Sequence, residues 1–176
     1  KETVVNLSGE DKWNEICDRA GVGADNTKWE KDTYSEDNEY FALVAAALEA
    51  LPHISEQDLY DIYGDYFISY LQNNGYESYL QTFGDTLFDL LNNVNKLHSH
   101  LACSMTKMKV PVITCTESSE KDCFMLSYSS PRGDRLTGMV VGLVKSLSRQ
   151  YFSSEAELTE IARQGGSDAL CTVWKV

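Results

Sequence analysis

Residues 123–132 read CFMLSYSSPR. In an extended chain alternate residues point the same way. Phe124, Leu126, Tyr128, Ser130 and Arg132 therefore share one face of a predicted strand. That face begins apolar and changes to a phenol, a hydroxyl and a guanidinium. One reading is a strand that turns polar as it leaves the core. The other is a clamp, because two hydroxyl donors and a planar five-donor fork suit a ligand with more than one carboxylate or phosphate oxygen.

The neighbouring sequence extends the strand into a sheet. Upstream, VPVITCTES (110–118) is also β-rich, and the polar stretch Ser118–Asp122 reads as the turn of a hairpin. Downstream, Leu136, Met139, Val140, Leu143, Val144 and Leu147 recur at helical spacing, and Gly138 and Gly142 lie one turn apart, suited to close packing. Residues 155–163 and ALCTVWKV (169–176) are expected as a third and a fourth strand.

Residues 1–108 have a helical texture. Ser8-Gly9-Glu10-Asp11 resembles a capping box, with Trp13, Ile16, Cys17 and Ala20 following and Gly21 as the stop. Residues 22–35 read as a loop. A helix is expected from about Glu36 to Leu51, ended by Pro52. Ser55 and Asp58 mark another start, Gly75 a stop, and Glu77–Phe83 a short helix. Leu87, Leu90, Leu91, Val94, Leu97 and Leu101 then define a long helix over roughly Asp85–Met105. Helices followed by a small antiparallel sheet with a packed helix make an α+β fold, read as a single domain over 1–176.

Composition removes several function classes. The chain has 176 residues and a formal net charge of −12, which suits neither a nucleic-acid surface nor an anionic membrane. No apolar run is long enough to span a bilayer. The five cysteines are scattered with no C-x-x-C, so reduced thiols in a cytoplasmic setting are expected. P-loop, G-x-G-x-x-G, H-E-x-x-H and G-x-S-x-G motifs are absent. His53, after Pro52, reads as a surface residue.

One histidine stands apart. Leu91, Val94, His98 and Leu101 follow i, i+3, i+7, i+10, which puts His98 on the apolar stripe of the long helix, while His100 points elsewhere. A core histidine bonded to backbone gives this pattern. So does a metal ligand, since a neutral imidazole facing an apolar cavity can hold a haem iron. The two propionates of a haem would occupy the clamp at Tyr128, Ser130 and Arg132, with Arg135 as a substitute for Arg132.

The pairing of LHSHL (97–101) with YSSPR (128–132) resembles the H-NOX family, the haem nitric oxide/oxygen binding domains. GEDKW (9–13), LVAAALEAL (43–51), YGDYF (63–67), NNGYESYL (73–80), VPVITC (110–115) and VVGLVKSL (140–147) fall in the family's order. The resemblance implies His98 as proximal ligand of a ferrous haem b, and Tyr128, Ser130 and Arg132 as the propionate residues. It implies Pro111 as the residue that distorts the haem, and Phe67 and Met139 as residues of the distal pocket. Cys115 matches a thiol position near the haem, beside the plain reading of a buried inert cysteine. One departure stands out: the family's opening amphipathic helix is expected to be short or missing in KETVVNLSGEDKW (1–13).

Met139 falls where oxygen-binding members carry a tyrosine, and a thioether donates no hydrogen bond. The resemblance thus implies a sensor, not an enzyme, that binds nitric oxide and CO, excludes O2 and signals to an effector such as guanylate cyclase in a longer chain or a partner. In a second register Thr137 would offer a hydroxyl in place of Met139. An O2 sensor, with a tyrosine such as Tyr66 or Tyr70 reaching the ligand, is the alternative. So is a haem-free structural domain of a cyclase heterodimer, against which the presence of His98 counts.

Overall fold

The computed structural model describes residues 1–23, 37–104, 109–166 and 169–176. The element order is α1 (Glu2–Ser8), α2 (Glu10–Ala20), α3 (Asp37–Ala50), α4 (Glu56–Asn73), α5 (Glu77–Gln81), α6 (Leu87–Ser104), β1 (Val112–Glu117), β2 (Phe124–Ser130), α7 (Thr137–Phe152), β3 (Thr159–Gly166) and β4 (Ala169–Lys175). The chain divides into two compact units, Lys1–Ile62 and Tyr63–Val176. The fold is α+β, as the hydrophobic periodicities predict.

In the first unit Val4, Trp13, Ile16, Cys17, Ala46, Ala47 and Leu59 form one buried cluster. Helix α2 ends as its sequence demands. Gly21 takes φ 67°, open to glycine at no steric cost. Its N–H donates to the Asp18 carbonyl at 3.2 Å, and Val22 N–H to the Cys17 carbonyl at 3.0 Å, the paired bonds of a Schellman stop. The predicted capping box at Ser8 is a correction. Ser8 is the last residue of α1, and α2 starts from Gly9 with no side-chain cap. A short helix before Gly9 claims Ser8 for its own last turn. The expected loop over 22–35 lies outside the described residues from 24 onward.

The second capping box is present. Asp58 N–H donates to Ser55 Oγ at 3.1 Å, and Ser55 N–H donates to Asp58 Oδ2 at 3.1 Å. Helix α4 then runs to Asn73, two residues before the Gly75 stop. Thr86 caps α6: Asp89 N–H donates to Thr86 Oγ1 at 3.1 Å, and the Thr86 hydroxyl donates to Asp89 Oδ2 at 2.6 Å.

In the second unit the four strands form one antiparallel sheet in the order β1-β2-β4-β3. Hairpin β1–β2 pairs Ile113 with Tyr128 and Cys115 with Leu126. Strand β2 pairs Tyr128 with Thr172 and Leu126 with Trp174 of β4. Leu90 and Leu91 of α6, Val140, Val144 and Leu147 of α7, and Leu126, Tyr128 and Trp174 of the sheet close one core.

Candidate functional site

Strand β2 shows the alternation read from its sequence. Leu126, Tyr128 and Ser130 are buried, whereas Met125, Ser127 and Ser129 between them are only partly so. Tyr128 is 2% and Ser130 1% exposed. Burial raises the Tyr128 phenol above its ordinary pKa, opposed by the hydrogen bond with Ser130 and by the nearby charge of Arg132. The three clamp residues thus act on one another. The structure brings Arg132 to them through a tight turn: its N–H donates to Ser130 Oγ at 3.1 Å. Its guanidinium Nη1 donates to the Lys109 carbonyl at 2.6 Å. A neutral phenol, a hydroxyl and a fixed guanidinium form a set of donors for carboxylate oxygens.

His98 lies on α6, whose Leu90 and Leu91 are buried, while His100 is exposed. Burial lowers the His98 pKa below its ordinary value, and the Pro111 main chain works the other way. The ring therefore favours its neutral form, the form that ligates metals. Its Nδ1 is buried without a hydrogen-bond partner, which is unusual for a polar atom in a packed protein. Pro111 sits just before β1, on the side of α6 that carries His98.

A feature that the sequence reading missed connects these parts. Asn92 and Asn95 precede His98 on α6 at steps of three. Asn92 Oδ1 accepts from Cys115 N–H at 2.7 Å, and Asn95 Oδ1 accepts from Ile113 N–H at 3.0 Å. Asn95 Nδ2 also donates to the Ile113 carbonyl. The signal was available as N-x-x-N-x-x-H over 92–98, a polar row beside the apolar stripe.

The remaining expected residues lie on α4 and α7. Phe67 is partly buried against the core and stacks on Tyr63, with ring centroids 5.9 Å apart. Burial raises the Tyr63 phenol. Met139 is partly buried on α7. Thr137, its rival in the second register, gives its hydroxyl to the Asp134 carbonyl at 2.7 Å. Tyr70 is 47% exposed. Cys115 is buried and its thiol is pushed up to about 12, the inert reading of that residue. His53 and Arg135 are exposed.

These residues fit a haem. The partly buried imidazole has a buried ring nitrogen to spare, and the donors at Tyr128, Ser130 and Arg132 suit the propionates of such a group. Among the described residues no cluster of His, Cys, Asp and Glu offers a conventional metal site, and haem ligation through one histidine needs none.

Comparison with known proteins agrees with this chemistry. The chain matches the haem-NO-binding family over residues 1–160, and it belongs to that family. Rat guanylate cyclase soluble subunit beta-2 is 26% identical over 98 residues, covering 56% of this chain and 14% of that protein. The Caenorhabditis elegans soluble guanylate cyclase gcy-37 is 25% identical over 162 residues, covering 91% of this chain and 22% of that protein. The chain thus spans less than a quarter of either relative. In structure it resembles an oxygen-binding H-NOX domain related to soluble guanylate cyclases, with TM-score 0.76 and 18% identity over 99% of this chain and 88% of that one. It also resembles an Fe(II) unliganded mutant H-NOX protein from K. algicida, with TM-score 0.77 and 17% identity over 98% of this chain and 90% of that one. These structures share its fold. The chain is a haem-binding gas-sensor domain of the H-NOX family, related to soluble guanylate cyclase. None of the helices described is long and apolar enough to cross a membrane.

Proposed function

We propose that this domain senses nitric oxide through a ferrous haem b held by His98, and that it discriminates against O2. The observation that carries the reading is the neutral-leaning, partly buried His98 with a buried, unpartnered Nδ1, on the helix bolted to the strand that faces Tyr128. When bound, the haem would supply an iron able to take a diatomic gas, NO or CO.

The residues of the chain do the rest. His98 presents a neutral nitrogen. Tyr128, Ser130 and Arg132 would donate to the propionates, with Arg132 held in place by its bond to the Lys109 carbonyl. Pro111, just before β1, would bear on the haem and distort it. Phe67 and Met139 would line the gas-binding pocket. O2 bound there would take on negative charge and would be stabilised by a hydrogen-bond donor, whereas NO would depend on one far less. Met139 offers no donor, and the Thr137 hydroxyl is committed to Asp134. Gas binding would weaken the hold of His98, and a resulting shift of α6 would be read by a guanylate cyclase or similar effector. The chain acts as one sensor domain in the cytoplasm and catalyses no reaction itself.

O2 sensing is the second reading, and one observation favours it: Tyr63 places a partly buried phenol beside Phe67. His98→Gly and Arg132→Ala test the assignments. The first should abolish the histidine-ligated spectrum of the reduced protein. The second should speed haem loss while leaving ligand choice unchanged. A full histidine-ligated spectrum in His98→Gly would overturn the reading.

A further inference from the structure

Edge strands leave one row of main-chain N–H and C=O groups without a strand partner. On β1, the outer strand of the sheet, α6 occupies that row. Asn92 meets Cys115, Asn95 meets Ile113, and His98 meets the main chain of Pro111. The helix advances by three residues for every two of the strand, and the two run in opposite directions. Two asparagines on one helix face thereby serve alternate residues of β1, and His98 comes next in the row, beside Pro111 at the strand entry.

We propose that Asn95, supported by Asn92, is a positioning residue for His98. A primary amide carries a donor and an acceptor, so Asn95 pairs with both the N–H and the C=O of Ile113 as a neighbouring strand would. It sits one turn before His98 on the same helix. Ile113 stands directly opposite Tyr128. The path from His98 to the Tyr128–Ser130–Arg132 cluster thus runs through one clamped residue, and α6 and β1 hold both ends of the site in fixed relation. Any displacement of α6 that carries His98 away must slide or break the Asn95 clamp, so Asn95 sets how readily His98 moves. The consequence for sensing rests on the haem reading above; the positioning of His98 does not.

The test compares the full chain with Asn95→Ala, with Lys96→Ala as an exposed control on the same helix, and with Asn95→Asp should the alanine variant fail to fold. The aspartate keeps the acceptor and loses the donor. Three readouts are taken: amide exchange at Ile113, the His98 ring resonances of the haem-free protein, and the iron–histidine stretching band of the reduced, haem-loaded protein. Exchange at Ile113 should rise about tenfold in Asn95→Ala, with shifted His98 ring signals and a displaced iron–histidine band, while Lys96→Ala changes none of these. Faster exchange at Ile113 with unmoved His98 signals would overturn the proposal, leaving Asn95 a merely structural contact. Unchanged exchange would overturn it also. If the wild-type chain took up no haem, the haem reading would fail, and the His98 ring signals would still decide the role of Asn95.

Discussion

Gly64 of α4 lies directly against the main chain of Gly142 in α7: a Cβ built on Gly64 would stand 2.5 Å from the Gly142 carbonyl oxygen. The two helices cross where neither residue has a side chain. Around that crossing Arg149 pairs with Asp65 at 2.6 Å, and Gln150 donates to the Asp65 carbonyl at 3.3 Å. Phe67 is one turn beyond Gly64, and Met139 one turn before Gly142.

Gly64→Ala should therefore destabilise the domain although alanine is the better helix former. The propensity gain is about 1 kcal/mol. The contact is with backbone, which no rotamer change relieves, and overpacking of this kind costs about 1–3 kcal/mol. Denaturant unfolding should show a lower midpoint. An unchanged or higher midpoint would mean that the helices part without cost.

Much of this was legible from the sequence, for reasons that differ by element. Helix α6 carries a long apolar stripe, so its extent and the place of His98 followed from periodicity alone. Strand β2 alternates cleanly because one of its faces is buried, and the burial of Leu126, Tyr128 and Ser130 repeats that pattern. Gly142 was marked as a packing glycine; its partner Gly64, distant in the chain, was not. Ser55–Asp58 and Ser8–Asp11 looked alike as helix starts. Only the first is one, because the preceding helix α1 competes for Ser8. The Asn92–Asn95 row was missed because its meaning depends on β1, a tertiary partner that no local pattern names. Pro111, Phe67 and Met139 entered through family resemblance, and their roles are proposals.

Thr172 gives a prediction of the opposite sign. It pairs with Tyr128 across β2 and β4, it is 0% exposed, and its hydroxyl has no hydrogen-bond partner. Burying an unpaired hydroxyl costs free energy, and a valine of the same shape removes that cost. Thr172→Val should raise the unfolding free energy of the haem-free protein by about 1 kcal/mol. A loss of comparable size would show that the hydroxyl has a partner in solution.

The cysteines should separate by reactivity. Cys103 is exposed, whereas Cys17 and Cys115 are buried. Burial raises the Cys17 thiol and pushes Cys115 up to about 12. Since the thiolate is the reactive form, an alkylating reagent at neutral pH should label Cys103 first in the native protein and reach Cys17 and Cys115 only on unfolding. Peptide mapping by mass spectrometry reads the order. Early labelling of Cys115 would contradict its placement in the core.

The central claim is that His98 holds a haem whose gas site lacks a hydrogen-bond donor. The most direct measurement is the absorption spectrum of the reduced, haem-loaded protein, recorded without oxygen and then, in separate samples, after NO or air. The account predicts a five-coordinate ferrous band that shifts with NO and shows no oxy complex in air. A stable, distinct oxy spectrum in air would contradict NO selectivity and direct attention to the phenol of Tyr63.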